Sequence, residues 1–206
     1  MVQSETGGPP LAAGELRSVP PASNKEGASH EAGLVRLAQS GDREAFAELY
    51  ECYASTVHGV LLSMVRPQEA GDLVQEVFLS ALRSLDRLEK PERVGAWLCT
   101  IARNRARDVY KQRRPEALPE EDLQPAREEP QGPADVSEAA GVLEVLRELP
   151  RAYSETLTLR LVECLTGPEI ALRTGLTHGS VRVNLHRGMK LLRERLAQLG
   201  LQGGTP

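Results

Sequence analysis

Apolar residues in this chain recur at spacings of three and four, and no stretch alternates convincingly enough for a strand. After Gly41-Asp42, the residues Phe46, Leu49, Tyr50, Tyr53, Val57, Val60, Leu61 and Met64 fall on one helical face. The pattern predicts a helix that opens at Gly41-Asp42 and stops at Arg66-Pro67, because a residue before proline is pushed out of the helical region. A short helix over 34–39 (LVRLAQ) precedes it. A third helix is expected over about 68–85, burying Leu73, Val74, Val77, Phe78, Ala81, Leu82 and Leu85. The loop DRLEKPE (86–92) leads to a fourth helix over about 93–113, which buries Trp97, Leu98, Ile101, Ala102 and Val109. Further on, helices are expected at about 137–148, 150–164, 167–174 and 178–198. The prediction is an all-α protein of two small helical domains joined by a flexible acidic linker, the second domain a helix-turn-helix.

The last two helices carry the clearest local signals. Thr166-Gly167-Pro168-Glu169 reads as a capping box, in which the Thr hydroxyl takes the Glu169 N–H and the Glu side chain reaches back. Pro168 suits a first helical turn. Gly175 suits the position after a helix, where the backbone turns left-handed. Thr177 then caps the next helix. Ile170, Ala171, Leu176, Val181 and Leu185 supply the buried pattern. His178, Arg182, Asn184, His186, Arg187 and Lys190 are expected on the exposed side of the final helix.

The 206-residue length allows one mid-sized domain or two small ones. A formal net charge of −4 argues against a nucleic-acid partner until its distribution is read. Residues 33–114 carry a net +2 and residues 139–206 a net +3, while residues 115–138 carry −7. That middle strip also holds five prolines, so 115–136 is read as the linker between a first domain (31–114) and a second (137–198). Residues 1–30, rich in Gly, Pro, Ser and Ala, and residues 199–206 are read as disordered tails. The three cysteines never approach CxxC spacing, so neither a zinc site nor a disulfide framework is expected. No secretory signal or membrane-length apolar run is visible, which predicts a cytoplasmic protein without membrane insertion. Neither a nucleophile constellation nor a phosphate-cradling glycine loop is present, so no cofactor and no intrinsic catalysis is expected.

Three stretches carry candidate chemistry. Arg182, Asn184, His186 and Arg187 are side chains that reach base edges from a helix in the major groove, Arg to guanine and Asn to adenine. The alternative is a basic solvated helix. RNRARDVYKQRR (103–114) has six cations and one acid, with Trp97 upstream on the same helix. It fits melted or single-stranded DNA equally as well as a solubilising helix end. In EAGDLVQEVF (69–78), Glu69, Asp72 and Glu76 fall at i, i+3 and i+7 with Gln75 beside them, all pointing away from the apolar face. Such a stripe repels DNA. It is either solvated or meets a protein with a basic surface.

The order of these parts resembles bacterial sigma factors of the extracytoplasmic-function group. EAGDLVQEVFLSAL is followed by a short loop, then WLCTIARNRARDVYKQRR, an acidic linker, and LTGPEIALRTGLTHGSVRVNLHRGMKLLRERL. The resemblance covers about 31–114 and 137–198. It implies that Asp72, Gln75 and Glu76 dock on the basic clamp helices of core RNA polymerase. It implies that the helix after Trp97 reads the non-template strand of the minus-10 element through Asn104, Arg107 and Asp108, with Arg103 and Arg105 available for phosphates and Lys111 and Trp97 among the minus-10 DNA-binding residues. The loop carrying Arg87 and Lys90 resembles one that captures a flipped-out base. The final helix, with Thr177, Ser180, Arg182, Val183, Asn184, His186, Arg187 and Lys190, corresponds to the reader of the minus-35 duplex. Implied partners are core RNA polymerase and promoter DNA, with an anti-sigma factor as a further candidate and a monomer outside the holoenzyme. Val183 and Asn184 depart from the residues common in the group, which invites a thymine-methyl contact at Val183 and an adenine contact at Asn184. Two rivals stand beside this reading: a free-standing helix-turn-helix regulator, and a helical adaptor whose basic helices are merely solvated.

Overall fold

The computed structural model describes residues 24–113 and 138–200, and every regular element among them is helical. The linker expected over 115–136 lies outside the described residues, as do most of the two expected tails. The first helix, α1, spans Asn24–Gln39 and so begins well before the LVRLAQ stretch and inside the segment read as a tail. Its early turns have no apolar stripe to announce them. Polar contacts tie the middle of the helix to α2: the Tyr53 hydroxyl donates to the Glu31 carboxylate at 2.5 Å, and His30 pairs with Glu48 at 2.9 Å. Burial, and then the adjacent Glu31 carboxylate, push the Tyr53 phenol far above its ordinary value, so it remains the donor.

Helix α2 (Arg43–Leu62) starts where the sequence places it, with the Asp42 carboxylate accepting the N–H of Glu44 at 2.9 Å and of Ala45 at 3.1 Å. It ends at Leu62, before Arg66-Pro67; Pro67 is instead the first residue of α3 (Pro67–Ser84), where its missing N–H is harmless. The expected loop forms two 3₁₀ turns, Leu85–Arg87 and Pro91–Arg93, before α4 (Val94–Arg113). Gln39 ties that loop to α1, its amide donating to the carbonyls of Leu85 and Leu88. One continuous core joins Leu49, Tyr53, Val57 and Val60 of α2 to Val74, Val77 and Phe78 of α3 and Leu98 and Ala102 of α4. Leu82, expected inside, is 51% exposed, because it lies a residue beyond Ala81 on the outer edge of the stripe.

The second half contains α5 (Glu138–Glu148), α6 (Arg151–Leu161), α7 (Gly167–Thr174) and α8 (His178–Gln198). α6 stops short of the expected residue 164, where Cys164 turns left-handed at φ 54°. Val145, Leu146, Leu149, Leu157 and Leu192 form one apolar cluster, and Leu159, Leu165, Ile170, Ala171 and Val181 a second. Both sides of the capping box form: Thr166 Oγ1 accepts from the Glu169 N–H, and the Glu169 carboxylate takes the Thr166 N–H at 2.7 Å. Gly175 is left-handed at φ 74°, as the C-cap requires. Leu176, expected to be buried, is exposed, since it stands between the C-cap of α7 and the N-cap of α8 and belongs to neither helix's inward face.

Each half has its own core, and the halves also pack on one another, α2 against α6 and α4 against α7. Within the second half, hydrogen bonding to Thr166 holds the Glu169 carboxyl below its ordinary value. The box therefore stabilises the fold fully above the unfolded carboxyl value and weakens as pH falls through the lower folded one. Thr166→Ala is expected to cost about 1 kcal/mol, read as a lowered Tm at neutral pH. Glu169→Gln should flatten the acid limb of the stability-versus-pH curve.

Candidate nucleic-acid interface

Most of the acidic stripe lies on the side of α3 away from the core; Glu69, expected to point outward with the rest, is half-buried with one carboxylate oxygen shielded from solvent. Asp72 and Gln75 are exposed, and Glu76 is half-exposed and ion-paired with Arg105 of α4. Leu79 continues the stripe one turn further and is 54% exposed. Beyond it, an open groove of about 500 Å³ runs between α3 and α4, lined by Glu76, Leu79, Arg83, Asn104, Arg105 and Asp108 among others. The face expected to meet protein and the face expected to meet DNA therefore border a single groove. Neither Leu79 nor the Glu76–Arg105 pair stood out in the sequence. The available signal was an apolar residue three positions after Glu76 and off the buried stripe.

Along α4 the expected residues divide. Asn104 and Asp108 are exposed, and Arg107 donates to Asn104 Oδ1 at 3.0 Å, which braces the Asn side chain. Trp97 is half-buried and packs against the core. Lys111 is exposed toward the end of the helix, and Arg87 and Lys90 are exposed on the connecting loop. Arg103 turns the other way. Its Nε and Nη2 donate to the two carboxylate oxygens of Glu155 on α6, at 3.0 and 2.6 Å. That hydrogen bonding outweighs burial and raises the Arg103 pKa, so the guanidinium is held charged. Arg103 and Asn104 are adjacent, and a helix turns about 100° per residue, so one faces the second half and the other faces out.

On α8, Thr177 caps the helix by accepting the Ser180 N–H at 3.1 Å, and the two hydroxyls are 2.8 Å apart. Arg182, Val183, His186, Arg187 and Lys190 are exposed in a continuous face, with Lys190 4.0 Å from Glu194. Asn184 differs from its expected exposure: it is half-buried and its amide donates to Thr156 of α6 at 3.4 Å. It follows Val181 by three residues and shares that residue's inward side. Gly188 lets α8 cross α6 closely, since a Cβ there would lie 3.0 Å from both Leu157 Cδ1 and Tyr153 Cβ.

Residues 49–116 match the family model for sigma-70 region 2, and residues 140–192 match that for sigma-70 region 4. The chain is 36% identical to the RNA polymerase sigma factor CarQ of Myxococcus xanthus, over 80% of this chain and 96% of that one. It is 32% identical to the ECF RNA polymerase sigma factor SigD of Mycobacterium tuberculosis, over 81% of this chain and 84% of SigD. This chain belongs to the extracytoplasmic-function sigma factors. As such it is a non-catalytic specificity subunit of RNA polymerase that directs promoter-specific transcription initiation. The fold agrees with the solved structure of CnrH in complex with the cytosolic domain of CnrY, at a TM-score of 0.57 and 25% identity, covering 82% of this sigma factor and 97% of that chain. The region 2 match covers most of α2 with α3 and α4; the region 4 match runs from α5 into α8. No described helix is long and apolar enough to cross a membrane.

The Gly188 crossing sets how α8 is presented to a ligand. Gly188→Leu would overpack it and should destabilise the second half by about 1–3 kcal/mol, measurable as a lower denaturation midpoint.

Proposed function

We propose a residue-level division of labour for this sigma factor. Asp72, Gln75 and Glu76 dock on a basic helical surface of core polymerase, with Leu79 as an apolar contact at the same edge. Asn104, Arg107 and Asp108 read the melted minus-10 strand, supported by Lys111 and by the loop cations Arg87 and Lys90, with Trp97 packed behind them. Arg182, Val183, His186 and Arg187 read the minus-35 duplex, with Thr177, Ser180 and Lys190 flanking them near the backbone. Asn184 joins them only by giving up its bond to Thr156.

The observation that carries this reading is the exposure of two chemically different faces on one body. An acidic stripe on α3 offers no affinity for phosphate, yet it borders the polar face of α4. A free-standing DNA-binding regulator has no use for that stripe, whereas a polymerase subunit needs both faces. The exposed α8 residues are donors and apolar groups suited to base edges, while phosphate contacts supply affinity rather than sequence discrimination. CnrH was solved with a protein partner, the cytosolic domain of CnrY. By that likeness, control of this sigma factor by an anti-sigma protein is part of the proposal, as is its work in the cytoplasm.

The deciding experiment adds the protein to core polymerase and a promoter library and looks for specific run-off transcripts. Duplex binding without polymerase and without transcripts overturns the reading. Asp72→Lys with Glu76→Lys should abolish association with core while leaving the helical content unchanged; association at wild-type strength refutes the docking assignment. Arg182→Ala and Arg187→Ala are each expected to lose about 1–3 kcal/mol of promoter affinity if the side chain grips a base bidentately. A contact to phosphate instead lowers affinity on all sequences and reduces the slope of affinity against salt by about one.

A further inference from the structure

Asn184 and Gly188 stand one turn apart on the side of α8 that faces α6. At about 100° per residue, Asn184 lies about 40° round the helix from Gly188 and about 120° from Lys190. Lys190 is exposed together with Arg182, Val183, His186 and Arg187, so Asn184 sits at the α6 edge of the reading face and not on it. The matching residues of α6 are Tyr153, Thr156 and Leu157, which share one face by their spacing. Thr156 is 1% exposed, and its single hydroxyl proton goes to the Ala152 carbonyl at 2.7 Å. Its oxygen can therefore only accept from α8, and the Asn184 amide nitrogen meets it at 3.4 Å. That settles which way the amide is turned: its N–H end points at α6. A bidentate grip on adenine needs the N–H and the carbonyl of one amide on the same base edge. Here one of the two is already engaged.

The rest of the crossing is smooth. Gly188 sets how closely the helices approach, but it offers no side chain to interlock against rotation. Val181 and Leu192 bury apolar surface, and that attraction is non-directional. The Asn184–Thr156 hydrogen bond is directional. We propose that Asn184 is a positioning residue of the minus-35 reader, and that with Thr156 it pins the roll of α8 on α6, so that Arg182, Val183, His186 and Arg187 reach the base edges together. This rests on the assignment of α8 to the minus-35 duplex. A small motion has a large effect here. At a side-chain radius of about 6 Å, a roll of about 10–20° moves a tip by about 1–2 Å. That exceeds the roughly 0.5 Å within which a binding group must be held. Loss of the pin therefore blurs every base step at once, whereas loss of a reader blurs only its own.

Holoenzyme transcription from a promoter library randomised over both elements tests this, with the run-off products sequenced to give the base preference at each step. Asn184→Ala truncates a half-buried side chain to the best helix former, so the variant keeps its fold. It is expected to lower discrimination by about two- to fivefold at several minus-35 steps together, and to leave the minus-10 profile as in the wild type. Thr156→Val keeps the shape and removes the acceptor. It should give the same profile, and the double variant no further change, because the two residues act as one unit. Thr156→Ser keeps the acceptor and should keep the wild-type profile. A preference lost at one minus-35 step alone would make Asn184 a reader and overturn the pin. So would an unchanged profile, additive effects in the double variant, or Thr156→Ser behaving as Thr156→Val does. Arg187→Ala tells the two levels apart. If it leaves the minus-35 profile intact, the promoter assignment fails and the pin with it; if it changes the profile while Asn184→Ala does not, the pin alone fails.

Discussion

A helix has a single circumference, and α4 is asked to use all of it. Leu98, Ala102 and Ala106 face the core of the first half. Gly95, Cys99 and Arg103 face the second half. Arg105 reaches back to Glu76 of α3, and Asn104 and Asp108 are left to solvent. Side chains one position apart on this helix are therefore committed to different neighbours. α3 and α7 pack directly on α4, while α6 is held mainly by α2, α5 and α8 and meets α4 through the Arg103–Glu155 pair.

This constraint explains why the charge pattern alone says so little. RNRARDVYKQRR looks like a uniform basic run, but Arg103 is neutralised by Glu155 and Arg105 by Glu76. The first pair is shielded and bidentate, so removing one partner leaves a poorly solvated charge. The second is about half exposed, and pairs of that kind contribute little to stability. The two arginines thus differ in what it takes to release them, although they sit two residues apart.

Features written in local chemistry were legible in the sequence. The Asp42 cap, the Thr166–Glu169 box, the left-handed Gly175 and the Thr177 cap each depend on residues within three or four positions, and the boundaries of α3, α4, α5, α7 and α8 follow closely. Features that depend on distant partners were not. Glu31 of α1 finds Tyr53 of α2, a pairing of which periodicity carries no trace. Asn184 looks like an exposed donor until Thr156 of α6 is brought beside it. The docking of the halves joins polar residues whose pairing no spacing rule reveals, as with His58 and Glu163 or Thr56 and Arg173. Of the candidate site, the residue types and the helices that bear them were readable; the groove between α3 and α4 and the inward turn of Arg103 needed coordinates.

The chain between Arg113 and Glu138 is 24 residues long. A tether of that order keeps two attached surfaces at an effective concentration on the order of millimolar. An interface between the halves can then be weak by the standard of separate proteins and still be mostly formed, because it never has to find its partner from dilute solution. The contact between the halves rests on a few hydrogen bonds and on close approaches at Gly59, Gly95 and Gly175, so one added side-chain carbon at any of the three would press the halves apart.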